Sequence, residues 1–195
     1  MELIIVRHGQ TEWSLSGRHT GVTEIDLTTE GEVEAIRLAP ILDRILGGRS
    51  PTLFVSPRKR ALATAALALP GFTARVEPLL AEYGYGSYEG LTREEIQIQV
   101  PGWEIWNDGC PDGETLDQVG LRADRFIGEQ VIGVEGPVVA VTHGHYSRIL
   151  AARALDRSAR DGSLFDSATA SVSVIKEVRG RHILSLWNLT ADLFD

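Results

Sequence analysis

Leu3–Val6, Leu53–Val55 and Val138–Val141 are apolar at every position, with no polar residue alternating among them. Runs this short read as strands buried on both faces, the pattern of a parallel sheet covered by helices on each side. Helical signals lie between them. Thr29 with Glu32 makes a capping-box pattern ahead of Val33, Ile36, Leu38 and Ile41, and Gly47-Gly48 follows as a stop. Ser56-Pro57 opens a helix expected to run to Leu69, and Thr92 caps one ending about Gln99. Thr115 starts another that carries Leu116, Val119, Ala123, Phe126 and Ile127, and His145–Ala154 is helical again. Val76 falls in a further strand, and Ser171–Val178 with His182–Trp187 form a hairpin around Arg179-Gly180-Arg181. Gln10–Leu27, rich in Gly, Thr and Ser, reads as loop. Strands alternating with helices give an α/β fold: a single domain over residues 1–195, built as a three-layer α/β/α sandwich on a mostly parallel central sheet.

At 195 residues and 43% hydrophobic, the chain can bury one sizeable core. Its net charge of −8 argues against a nucleic-acid-binding face, so any anion site has to be locally basic. The lone cysteine, Cys110, excludes an internal disulfide and fits a cytoplasmic setting. No stretch approaches the ~20 apolar residues of a membrane-spanning helix. The apolar run at Leu3 also falls short of the ~7–15 residues of a signal peptide.

Ligands of open parallel sheets sit beyond the carboxyl ends of the strands. Three of those ends carry polar groups of one kind here: Arg7-His8-Gly9, Ser56-Pro57-Arg58 and Thr142-His143-Gly144. If the strands are neighbours, two arginines and two histidines share one edge, where two helices also begin. A phosphoryl group suits such a cluster, because guanidinium forks match its oxygens and a neutral imidazole is a competent nucleophile. An acid must then protonate the leaving oxygen; Glu82 and Glu89 in the Tyr/Gly-rich loop Glu82–Gly90 are available. Singly, each piece has an ordinary reading as a turn pair, a helix start or a solvated His-Gly-His. Their coincidence is what argues for a site. His143 and His145 lack a carboxylate or cysteine at metal-ligand spacing, so no metal is expected.

The stretch LIIVRHGQTEW resembles the signature of the histidine phosphatase superfamily, which includes the cofactor-dependent phosphoglycerate mutases. The likeness continues in family order through RHTGVTEIDLTTEG, SPRKRALATA, LLAEYGYGSYEG, CPDGET and VTHGHYSR. It implies that His8 becomes phosphohistidine, that Arg7, Arg58 and His143 complete the phosphate pocket, and that Gly144 offers a backbone N–H. Glu82 matches the general acid/base, and Glu89 a structural turn. Thr20, Gly21 and Tyr85 match residues that touch the substrate beyond its phosphate. Gln10 is expected to line the site, as is Ser14, which stands where many members carry asparagine. His143 is expected to be cationic and His8 neutral.

The implied partner is a small-molecule phosphate ester, with no cofactor. Mutases of this family are usually longer, with a basic insertion after the EYG-type loop. Here Arg93 is the only basic residue between Glu82 and Arg122, so phosphatase is expected over mutase. A non-catalytic phosphate-binding protein is the remaining alternative. The blocks EYGYGSYEGLTREEI and IWNDGCPDGETLDQVGLR resemble the sedoheptulose-bisphosphatase branch and short bacterial acid phosphatases, which implies a small phosphorylated sugar or related metabolite. Trp103, Trp106 and Cys110 either line that pocket or pack a lid.

Overall fold

The computed structural model describes residues 1–191. Glu2–Arg7 (β1), Thr52–Val55 (β2), Ala74–Val76 (β3), Val138–Thr142 (β4), Val172–Val178 (β5) and Arg181–Leu189 (β6) form one sheet in the order β3-β2-β4-β1-β5-β6. The first four run parallel, as the apolar runs imply. The C-terminal hairpin joins through β5, antiparallel to β1, and β6 closes that edge. The helices are Glu12–Leu15 (α1), Thr29–Leu46 (α2), Lys59–Ala68 (α3), Arg93–Gln99 (α4), Ile105–Asp108 (α5), Leu116–Phe126 (α6) and Gly144–Ala154 (α7). Among the described residues, no helix is long and apolar enough to cross a membrane.

Strand alternation splits the core in two. Leu3, Ile5, Phe54, Val138 and Ala140 pack against Val119, Ala123 and Phe126 of α6 and Ile149 and Leu150 of α7. Ile4, Val6, Leu53, Val55, Val139 and Val141 pack instead on Leu38 and Leu42 of α2 and Ala61 and Ala65 of α3. This is the expected three-layer sandwich, and it explains why Leu3–Val6, Leu53–Val55 and Val138–Val141 carry no polar residue.

Four local readings need correction. Thr28, not Thr29, caps α2: its side chain accepts the Gly31 N–H. Val33 and Ile36 are 42% and 52% exposed, while Gly31, Ala35, Leu38 and Leu42 face inward. Glycine is required at the head of that stripe because α2 presses on the loop after β1, where a Cβ at Gly31 would come within 2.1 Å of the Gln10 carbonyl oxygen. Ser56 is not a helix start; α3 begins at Lys59 with Arg58 as its cap. The segment read as loop contains α1, closed by a reciprocal Thr11–Ser14 capping box.

Candidate active site

β4 lies between β1 and β2, so the three polar turns become neighbours. The ladder continues past the strand ends, with His8 N–H donating to Thr142 O and Ser56 N–H to Val141 O, each at 3.0 Å. The His8 and His143 rings meet edge to face with centroids 5.2 Å apart.

His8 Nδ1 lies 2.7 Å from its neighbour Gly9 O, a group that can only accept. The proton therefore sits on Nδ1, and the Nε2 lone pair is left free. Burial, followed by the charges of Arg7 and Arg60, holds this imidazole well below its usual range. His8 is a neutral, oriented nucleophile.

His143 departs from the expectation of a cation. Arg60 Nε donates to its Nδ1 at 3.2 Å, so the proton lies on Nε2, which reaches Ser56 Oγ at 2.7 Å. Burial and then the Arg60 guanidinium hold it well below the ordinary imidazole range. A second proton on Nδ1 would face an arginine N–H, so this arrangement keeps His143 neutral.

Arg60 is fully buried and also donates to Thr20 O, Gly21 O and Thr23 O. Arg58 is turned away: Nη1 reaches Glu24 Oε1 at 3.3 Å, and the same carboxylate accepts Lys59 N–H. Arg58 caps α3 in extended backbone and its side chain is partly buried, whereas Arg60 lies on the inward face of the first helical turn. The signal for Arg60 was in the sequence, since it shares the buried stripe of Ala61, Thr64, Ala65 and Ala68.

Arg7 lies against Gly144, where a Cβ would sit 3.2 Å from the guanidinium carbon, and donates to Ser167 O. Its buried Nε has no hydrogen-bond partner, a donor that a phosphoryl oxygen could satisfy. Glu82 is seated on the N-terminus of α7, accepting Tyr83 and Tyr146 N–H at 2.8 Å on Oε1 and His145 N–H at 3.1 Å on Oε2. Arg122, which sequence reasoning missed, holds this segment by donating to Leu79 O, Ala81 O and Glu82 O while pairing with Glu114.

Residues 3–190 match the sequence profile of the histidine phosphatase superfamily, branch 1. The chain belongs to that superfamily. It is 40% identical over 190 residues to an acid phosphatase of Mycobacterium tuberculosis, covering 96% of this chain and 92% of the relative. It is 38% identical over 177 residues to the sedoheptulose 1,7-bisphosphatase of Saccharomyces cerevisiae, covering 76% and 65%. A solved structure of an M. tuberculosis open-reading-frame product superposes with a TM-score of 0.91 at 39% identity, over 97% of this chain and 98% of that one. Mycobacterial glucosyl-3-phosphoglycerate phosphatase in complex with VO3 gives 0.83 at 29% identity, over 96% and 98%.

In this histidine phosphatase a cavity of roughly 160 Å³ opens at Arg7, His8, Glu82 and Gly144. Ser14, Thr20 and Tyr85 line it as expected, together with Gly17, Arg18, His19, His145, Arg148 and Ser167. Gln10 and Gly21 do not. The Gln10 side chain accepts from Thr28 Oγ at the head of α2. Gly21 donates its N–H to both Glu89 oxygens at 3.0 Å, and Glu89 also accepts Thr23 N–H, so this carboxylate organises the loop.

Trp103, Trp106 and Cys110 stand behind the cavity rather than in it. Trp103 backs His19 with centroids 5.5 Å apart, and Trp106 backs His145 at 5.4 Å. Cys110 lines a separate cavity, and burial pushes its thiol up to about 12. Among the described residues, no group of three or more His, Cys, Asp or Glu is placed to hold a metal ion.

His8, His19, His143 and His145, four of the phosphatase's 5 histidines, are all held below their usual range, burial being the first cause in each. The unfolded chain takes up these protons near pH 6.5 and the folded one at lower pH. Their contribution to stability is therefore complete above ~6.5 and lost as pH falls toward the folded values. Thermal melts from about pH 7.5 to 5 should show a falling Tm. Inorganic phosphate, by stabilising a protonated His8 ring, should blunt the fall. A Tm flat across that window would contradict the buried neutral imidazoles.

Proposed function

We propose that this phosphatase hydrolyses small phosphorylated sugars or related metabolites by double displacement through a phosphohistidine on His8, with no metal ion. The observation that carries the reading is the free Nε2 of a neutral His8, placed beside Arg7, Arg60 and His143 at the N-terminus of α7. In the first step Nε2 attacks phosphorus, an N–P bond forms and the ester P–O bond breaks. Arg7 and the N-terminus of α7 take the equatorial oxygens, positioning and neutralising at once, while Arg60 adds positive charge beside His8. Glu82, protonated, gives its proton to the departing alkoxide through Oε2, the oxygen with a single backbone donor. Water then attacks the phosphohistidine, Glu82 accepts its proton, and inorganic phosphate leaves as the N–P bond breaks.

Two observations favour hydrolysis over phosphoryl transfer back to a sugar acid. The segment from Glu82 to Arg122 offers one internal cation, Arg93, and it is committed to Glu104 at the surface. No basic group from that segment lines the cavity, so water can reach the phosphohistidine. The names of the acid phosphatase, sedoheptulose bisphosphatase and glucosyl-3-phosphoglycerate phosphatase relatives support the substrate class. The lone, half-buried Cys110 suits action in the cytoplasm.

Release of inorganic phosphate from p-nitrophenyl phosphate is the direct test, and EDTA should leave the rate unchanged. With 3-phosphoglycerate, free phosphate should exceed the 2-phospho isomer. No turnover on any ester would make the protein a binder, loss of rate in EDTA would bring in a metal, and excess isomer would make it a mutase.

A further inference from the structure

The cavity wall carries a cation that hydrolysis of one phosphoryl group does not use. Arg148 lies on α7 and lines the cavity. Its guanidinium is fixed by three neutral contacts: Nε donates to Gly162 O at 3.1 Å, Nη2 donates to Ser163 O at 3.4 Å, and the central carbon sits 4.5 Å from the centroid of the Trp106 ring. Trp106 is itself immobilised, because a Cβ at Gly162 would come within 2.9 Å of its ring. Both Nη1 hydrogens and one on Nη2 are left over, a fork suited to a carboxylate or phosphate.

No carboxylate among the described residues makes an ion pair with Arg148, and Asp166 acts on it only through space. Arg18, also in the wall, is neutralised by Glu95 at 3.0 Å. Burial lowers the Arg148 guanidinium from its usual range, with Asp166 raising it and the like charge of Arg7 lowering it further. One helical turn back on the same face, His145 Nδ1 shares a hydrogen bond with the Tyr85 hydroxyl at 2.7 Å, and the ring lines the same cavity. Trp106 supports both side chains.

Building on the phosphatase reading, we propose that Arg148, with His145 beside it, anchors a second anionic group, so that the preferred substrates are small phosphate esters bearing a remote phosphate or carboxylate. The site then has two ends: phosphorus is attacked at His8 while the far anion docks against the Trp106-backed fork. Binding at the far end sets KM and orientation.

Alkane-α,ω-diol bisphosphates and ω-phosphooxy carboxylates of increasing length, each compared with the matching ω-hydroxyalkyl phosphate, test this. At one chain length, wild type should favour a doubly anionic ester by at least about tenfold in kcat/KM, beyond the statistical advantage of two reactive ends. The bisphosphate and carboxylate arms tell which anion is read. Arg148→Met should bring the ratio close to the statistical value, mainly through KM, and Arg148→Lys should keep part of it. Isothermal titration with alkane bisphosphonates against alkylphosphonates reads the same preference without turnover, so a failed hydrolysis assay would overturn the phosphatase reading alone. Equal affinity for both phosphonate classes in wild type, or a ratio that survives Arg148→Met, would overturn the second-anion site.

Discussion

Replacing His8 with alanine is expected to lower turnover by on the order of 10⁴-fold or more, the scale on which enzymes lose rate when a covalent nucleophile is removed. The replacement should also eliminate a phosphoenzyme that wild type forms within one turnover. The reason is geometric: Gly9 O claims Nδ1, which leaves the Nε2 lone pair of a neutral ring free beside Arg7 and Arg60. The intermediate has a chemical signature, because an N–P bond survives alkali and hydrolyses in acid. Labelled substrate mixed rapidly with enzyme and quenched in base should therefore leave label on the protein. If activity is intact and no label is ever retained, His8 would be acting as a base for water and the double displacement would be wrong. Because burial keeps His8 neutral, the acid limb that it imposes on kcat/KM should lie below ~6.5, the ordinary imidazole value.

The features legible in the sequence share a physical cause. A strand buried on both faces must be apolar throughout, so β1, β2 and β4 announce themselves, and the polar residues that interrupt them mark the sheet edge where ligands collect. That pattern alone points to Arg7, His8 and His143, whereas Glu82 is set apart from Glu89 only by the family resemblance. Helical phase was not legible in the same way. In the run Arg58-Lys59-Arg60 three cations compete for one inward direction, and the strand-end argument favours the first because it is nearest. Burial favours the third. Charge state was also hidden: a phosphate site suggests a cationic His143, but the Arg60 N–H aimed at Nδ1 requires a lone pair there. Gln10 was lost to the Thr28 hydroxyl, a competitor that lies 18 residues away and enters only with the fold. Arg148 and Trp106 are brought together by α7 and α5, segments with no common pattern in sequence.

The second large effect separates the two arginines. Arg60→Met is expected to be damaging in both stability and rate, and Arg58→Met mild in both. Removing the Arg60 guanidinium leaves His143 Nδ1 and the carbonyls of Thr20, Gly21 and Thr23 without their buried donor. Loss of one member of such a buried charged network costs about 3–5 kcal/mol, a large share of a domain's stability. On the proposed mechanism it also withdraws a positive charge beside His8, a loss of about 10²–10³ in kcat by analogy with single oxyanion donors. Arg60→Lys should recover little, because one ammonium cannot reach an imidazole and three separate carbonyls at once. The Arg58–Glu24 pair is partly exposed, so its removal should cost ~1 kcal/mol or less. Urea unfolding gives the first quantity and steady-state rates with p-nitrophenyl phosphate the second. If Arg58→Met silences the enzyme while Arg60→Met works, the phosphate clamp is the residue nearest the strand end, and the burial of Arg60 serves only to hold the loop from Thr20 to Thr23.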